Sequence, residues 1–337
     1  MSFVAAFVSF MVGLCFAIPA FVTLLVKAIF NPKIFRRVER KVPPKCLTDP
    51  TLGEHHYVTT ASKLKFHYVA NGNPSKPLML CLHGFPEFWY SYRHQLRAFH
   101  DKYRVVAVDL RGYGESAKPE GVSQYATKLL IKDVKEIVEA LGYSSCILVA
   151  HDWGGAIAWH VPSAFPELVD KLIILNAPHF SVFKKYLYSH FSQMKKSWYM
   201  CFFQVPYIPE MFLASNDMEA FKIFRNKKKP GMFTDEDIEA WKYTFGKPGS
   251  FTPPLNYYRN IFSSSSSRSD APKTKISVPV MVVWGTADLA LEKEMNDGLD
   301  QYVEDLTIRY IEGASHWVQQ DEPELVNMYI QEFLDTK

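Results

Sequence analysis

His151-Asp152-Trp153-Gly154-Gly155 follows an apolar run, Cys146-Ile-Leu-Val-Ala150, and leads into Ala156-Ile-Ala-Trp-His160, whose character is helical. The order is strand, sharp turn, helix. A turn of this kind, which holds a reactive side chain up at a sheet edge, needs small residues two before, two after and three after that side chain. Ala150, Gly154 and Gly155 take those places around Asp152, which makes Asp152 the candidate nucleophile. The competing reading is an aspartate that merely opens the following helix as its N-cap. A carboxylate at this point, where hydrolases often carry serine, narrows the chemistry. On a carbon electrophile it forms an ester that water can cleave, whereas a serine attacking the same epoxide or alkyl halide would leave an inert ether.

Seven short β-rich runs frame this turn: Leu64 to Val69, Leu78 to Leu82, Arg104 to Val108, Cys146 to Ala150, Lys171 to Leu175, Val280 to Trp284 and Leu306 to Ile311. Several are apolar throughout, as strands covered on both faces must be. Between the third and fourth, Leu129, Leu130, Val134, Ile137, Val138 and Leu141 follow helical spacing and stop at Gly142, a suitable C-cap. Alternation of strand and helix predicts an α/β class fold with a mostly parallel, doubly wound sheet, whose ligands bind beyond the strands' carboxyl ends. The pattern breaks after Asn176-Ala-Pro178 and resumes near Val278-Pro279. The intervening hundred or so residues are aromatic-rich and mostly helical, with a capping signal at Thr234-Asp-Glu-Asp237, and predict an inserted lid that excludes water. Ser263 to Ser267, followed by Arg268-Ser-Asp-Ala-Pro272, reads as a return loop.

With 337 residues, 48% hydrophobic and 15% aromatic, the chain has ample material for a core and is not disordered. Phe3 to Val26 holds no charge and would span roughly 36 Å as a helix, against a hydrocarbon core of about 30 Å. Its length exceeds a signal-peptide core and no Lys or Arg precedes it, so a retained transmembrane anchor is expected rather than a cleaved signal. Lys27, Lys33, Arg36, Arg37, Arg40 and Lys41 follow, against the single acid Glu39. By the positive-inside rule this flank stays cytoplasmic, in a single-pass protein of the endoplasmic reticulum type. The basic cluster suits anionic headgroups or a solvated linker equally. The rest of the chain is slightly acidic, which leaves no basic surface for nucleic acid. Five cysteines, Cys15, Cys46, Cys81, Cys146 and Cys201, fit reduced and buried thiols rather than a disulfide framework. Nothing indicates a metal or nucleotide site, and no cofactor is expected. The expected division is 1–26 anchor, 27–49 basic linker, 50–175 first part of the hydrolase core, 176–272 lid and 273–337 second part of the core.

Two further residues stand at strand ends. Val280 to Trp284 leads into Gly285-Thr-Ala-Asp288, and Leu306 to Ile311 into Glu312-Gly-Ala-Ser-His316-Trp317. In the template that the elbow implies, an acid and then a histidine follow the nucleophile, so Asp288 is the candidate orienting acid and His316 the candidate general base. His83-Gly-Phe-Pro-Glu87 follows the Leu78 to Leu82 strand, where the same template draws one oxyanion amide; the other comes from the residue after the nucleophile. Those amides belong to Phe85 and Trp153. Phe85-Pro86 is a candidate cis bond, His83 is read as structural, and Asp109 in Asp109-Leu-Arg-Gly-Tyr-Gly-Glu-Ser116 as a loop-shaping residue.

From about Leu52 onward, His83-Gly-Phe-Pro-Glu-Phe-Trp-Tyr90, Asp109-Leu-Arg-Gly-Tyr-Gly114, His151-Asp-Trp-Gly-Gly155 and Ser315-His-Trp317 together resemble the epoxide hydrolases of the α/β-hydrolase superfamily, in particular their membrane-anchored animal branch, epoxide hydrolases 3 and 4. The resemblance implies an α/β-hydrolase fold and conversion of a lipophilic epoxide and water to a vicinal diol. It also implies two lid tyrosines as proton donors to the epoxide oxygen. These match Tyr199 in Trp198-Tyr-Met-Cys-Phe-Phe-Gln-Val-Pro206 and Tyr258 in Pro254-Leu-Asn-Tyr-Tyr-Arg-Asn260, with Tyr257 as the alternative for the second. Ala150 departs from the family's glycine at that place. Two other functions stay open at this point: a haloalkane or haloacid dehalogenase that uses the same Asp nucleophile, and a catalytically silent, membrane-tethered binding protein on the same scaffold.

Overall fold

The computed structural model describes residues 3–225, 232–262 and 275–336. The expected return loop at Ser263 to Pro272 lies outside the described residues. The chain divides into two compact units. One comprises Asp49–Ala117, Thr127–Met194 and Asp270–Lys337, the other Met1–Thr48, Lys118–Ala126 and Lys195–Ser269.

The first unit is built on an eight-stranded sheet: β1 (Glu54–Thr59), β2 (Lys65–Asn71), β3 (Leu78–Leu82), β4 (Arg104–Val108), β5 (Cys146–His151), β6 (Val169–Leu175), β7 (Val280–Gly285) and β8 (Leu306–Ile311), in the order β1-β2-β4-β3-β5-β6-β7-β8. From β4 to β8 all neighbours are parallel, and β2 joins β4, and β1 joins β2, antiparallel. The seven expected runs are β2 to β8. The sequence reading missed β1, whose residues Glu-His-His-Tyr-Val-Thr alternate between exposed and half-buried positions at the sheet edge. β3, β5 and β7 are buried at every residue, which explains their unbroken apolar sequences. The helix after β4 runs Thr127–Ala140, and Gly142 follows it at φ +86°, a left-handed C-terminal stop.

The second unit holds the N-terminal helix, Phe3–Phe30, and the lid helices. The capping signal is realised at the Asp235–Phe245 helix: the Asp237 amide donates to Thr234 Oγ1 at 3.1 Å, and the Thr234 amide donates to Asp237 Oδ2 at 2.7 Å. The Trp198–Phe202 and Thr252–Ile261 helices are pinned together through backbone carbonyls. Gln204 Nε2 donates to the carbonyls of Met200 and Tyr258, and Arg259 Nε donates to that of Phe203 while its guanidinium pairs with Glu210 at 2.8 Å. All five cysteines are free. Cys81 and Cys146 are buried as expected, whereas Cys15 is exposed on the N-terminal helix, so burial is not general among them.

Candidate active site

Five parallel-strand ends converge at one edge of the sheet. β3 delivers His83 to Glu87, β5 delivers Asp152, β6 Asn176, β7 Asp288 and β8 His316. This is the carboxyl edge, where the chemistry of open α/β sheets is placed.

Asp152 sits at φ +48°, ψ −117°, outside the regions ordinary L-residues prefer, and is followed at once by the Trp153–Ala158 helix. Such a conformation costs on the order of 1–3 kcal/mol and persists only where its surroundings enforce it. The small residues are the enforcement. A Cβ on Gly154 would run into the carbonyl oxygen of Leu82, and one on Gly84 into Asp152 itself. Gly154→Ala is therefore expected to destabilise the protein by roughly 1–3 kcal/mol, the usual cost of overpacking, seen as a lower thermal midpoint together with lost turnover. An unchanged midpoint would show that the elbow is looser than this packing.

Asp152 Oδ1 accepts a 2.7 Å hydrogen bond from the Phe85 amide, and Phe85-Pro86 is cis. Asp152 Oδ2 lies 3.3 Å from His316 Nε2, and His316 Nδ1 lies 2.7 Å from Asp288 Oδ2. The three side chains form a line, nucleophile candidate to imidazole to second carboxylate. Asp288 is held in turn: its Oδ1 accepts the amides of Ala290 and Leu291, and its Oδ2 also accepts Asn176 Nδ2 at 2.8 Å. Asn176 Oδ1 accepts the Gly285 amide, so this side chain ties the end of β6 to the end of β7. Trp153 occupies the first position of the helix that follows Asp152.

The electrostatics follow from this line. Burial alone would raise the Asp152 carboxyl, but the hydrogen bond and charge of His316 hold it below the usual carboxylate value. Burial likewise would lower His316, yet Asp288 and Asp152 on its two sides hold it well above an ordinary histidine. Asp288 is also held low against its burial, mainly by the charge of His316. Each member of the line thus favours the charged form of its neighbour.

Three site residues were not singled out in the sequence as functional: Asn176, Glu87 and His151. Glu87 and His151 are fully buried, with Glu87 Oε2 2.6 Å from His151 Nδ1 and accepting the Gly84 amide at 2.9 Å. His151 Nε2 faces the His316 carbonyl at 2.8 Å, and Gln320 donates to Glu87 Oε1. This buried network links the loop that carries Phe85, the strand that carries Asp152 and the backbone of His316. Its only signal in the sequence was a charged residue inside the apolar run Phe85-Pro-Glu-Phe-Trp. His83 plays the structural part expected of it: Nδ1 donates to the Gly84 carbonyl, Nε2 accepts the Leu110 amide, and burial lowers its pKa. Asp109 accepts the amides of Trp89 and Glu115, which shapes its loop. Despite its burial, His67 at 2.7 Å brings its carboxyl down to about 2.

Within the lid unit, the rings of Tyr199 and Tyr258 lie edge to face with centroids 5.9 Å apart. Tyr257 points elsewhere and packs on Tyr125 at 5.6 Å.

The alpha/beta hydrolase fold family matches residues 77–323. Epoxide hydrolase 4 of Homo sapiens is 44% identical over 330 residues, 96% of this chain and 90% of that protein. The chain belongs to the epoxide hydrolase family of the α/β-hydrolases. Epoxide hydrolase 3 of Xenopus tropicalis is 42% identical over 308 residues, 89% of this chain and 83% of its own length. Among solved structures, an epoxide hydrolase of Bacillus megaterium in complex with an inhibitor superposes with a TM-score of 0.75 at 34% identity, covering 83% of this chain and 100% of the other. Membership in the family therefore extends from sequence to fold.

Proposed function

We propose that the protein hydrolyses lipophilic epoxides to vicinal diols in two steps through an ester on Asp152, without a cofactor. The observation that carries this reading is the Asp152, His316, Asp288 line at the strand ends, with a carboxylate as the only candidate nucleophile in it. In the first step Asp152 Oδ2 attacks an epoxide carbon, the C–O bond of the ring breaks, and the oxygen takes a proton from Tyr199 or Tyr258. Their pairing on adjacent lid helices supports an epoxide oxygen rather than a halide as the leaving group. In the second step His316 Nε2 takes a proton from water, which attacks the ester carbonyl carbon. The oxyanion forms on Oδ1, against the Phe85 amide and with Trp153 as second donor. Collapse breaks the ester C–O bond: the departing oxygen takes the proton held by His316 to give the diol, and the second proton of the water restores the tyrosine by way of solvent, which returns the Asp152 carboxylate.

The charges give the order of events a reason. Esterification of Asp152 removes one of the two negative charges that hold the His316 proton, so the imidazole becomes a base only after the first step. Its pKa in the ester form lies below its resting value, and the second step should accelerate as pH rises through that value. The test is conversion of a panel of lipid and styrene-type epoxides, with the alkyl-enzyme followed by rapid quench and mass analysis from about pH 5 to 8, the range in which histidine charge ordinarily changes. Diol formation, with the most ester at the acid end, is the expected result. No diol from any epoxide would contradict the reading.

The N-terminal helix, long and apolar enough to cross a membrane, supports anchoring in the endoplasmic reticulum membrane. The six basic residues in its last turn and after it support a cytoplasmic catalytic unit. Anchoring in lipid and the aromatic lid support fatty-acid epoxides as the substrate class.

A further inference from the structure

The N-terminal helix does not stand apart from the lid. Ser9, Gly13, Ala17 and Leu24 form one buried stripe along it, spaced at one or two helical turns. A Cβ on Gly13 would run into the Cys201 carbonyl oxygen, with Val205 beside it. One turn on, Phe16 packs on Trp198 with ring centroids 5.2 Å apart. Small residues allow this close approach of backbones, as in packed membrane helices. The chain then stays on the lid: Ile34 is buried, Arg40 pairs with Asp217 at 2.7 Å and Glu239 at 2.8 Å, and the Cys46 amide donates to Glu236. The opposite face of the helix is a continuous apolar surface, with Val8, Met11, Ile18, Val22 and Leu25 all exposed. Only 22% of its apolar window is buried, so it is not the core helix of a soluble protein. On the lid, the side chains of Trp198 and Phe212 are exposed as well.

A helix held this way has difficulty crossing a bilayer. Phe16 is close to its midpoint, so a perpendicular crossing would carry Trp198 to the membrane centre, with Lys195 and Lys196 within three residues of it. The headgroups lie about 15 Å from that centre. Charged side chains at that depth are costly. Lying along one leaflet, the same helix keeps Lys195 and Lys196 at headgroup level, together with Lys27 in its last turn and Lys33, Arg36 and Arg37 after its carboxyl end.

We infer that the N-terminal helix and the Trp198–Phe202 lid helix enter a single leaflet of a phospholipid bilayer together, so that the lid itself is membrane-bound and the helix does not cross. This rests on the anchoring proposed above and replaces the crossing that helix length alone implies. The full chain with an epitope tag at each end, in sealed microsomes, gives the first test. Added protease should remove both tags from protein that floats with the membranes. In phosphatidylcholine vesicles with brominated acyl chains, Trp198→Phe should lose part of the tryptophan quenching seen in the unsubstituted protein. A protected N-terminal tag on floating protein would overturn the single-leaflet arrangement while leaving the anchor intact. Quenching unaffected by Trp198→Phe would overturn lid immersion. Failure to float would remove the anchor and this inference with it.

Discussion

Asp152→Asn is expected to lower turnover of an epoxide by at least about 10⁴-fold, in line with the loss of a nucleophile that works as one unit with its base. Asparagine has the same shape, and its carbonyl oxygen can still accept the Phe85 amide that now meets Oδ1 at 2.7 Å. The fold should therefore survive, with a thermal midpoint near that of the unsubstituted protein. The charge on His316 will change as well, since Asp152 is one of the two carboxylates that hold its proton. An amide oxygen is a poor nucleophile, and no other carboxylate in the line is placed to replace it, because Asp288 is engaged by His316, Asn176 and two backbone amides. Turnover within tenfold of the original would mean that the ester does not form on Asp152.

The double substitution Tyr199→Phe with Tyr258→Phe should slow ring opening by about 10²- to 10⁴-fold, the range for loss of general acid catalysis. Each single substitution should cost less, because one phenol is left to donate a proton. The signature lies in which step slows. Ester formation should fall in single-turnover experiments, while hydrolysis of ester already formed should be unchanged, since the proposed mechanism gives that step to His316 and Asp288. Tyr257→Phe is the control, because its ring packs on Tyr125 rather than on the pair, and it should leave ester formation near the original rate. A loss with Tyr257→Phe that equals the Tyr258→Phe loss would move the proton donor by one residue.

The elbow was legible in the sequence because its demands are local. Small residues at three fixed offsets and an apolar strand before them are visible without knowledge of the fold, and the backbone of Asp152 at φ +48° is their consequence. Asp288 and His316 were legible for a related reason: each follows an apolar run that is a strand by composition. What escaped was set by tertiary partners. Asn176 looked like a strand terminus, and nothing local says that its amide group bridges β6 to Asp288. Glu87 and His151 meet only because β3 and β5 are neighbours in the sheet. β1 was missed because an edge strand with one solvated face carries polar residues such as His55 and His56, which break an apolar run. The N-terminal helix read as a uniform apolar segment, since the stripe of Ser9, Gly13 and Ala17 acquires meaning only against the Cys201 carbonyl.

The covalent ester on Asp152 is the claim on which the rest depends, and intact mass of His316→Gln protein after exposure to an epoxide tests it most directly. Glutamine cannot take a proton from water, so the first step should proceed and the second should stall. The protein should gain the mass of one substrate molecule, a peptide containing Asp152 should carry it, and diol release should stop after about one equivalent, as expected for a trapped covalent intermediate. Continued diol production without an adduct would contradict the account and point to direct attack of water on the epoxide.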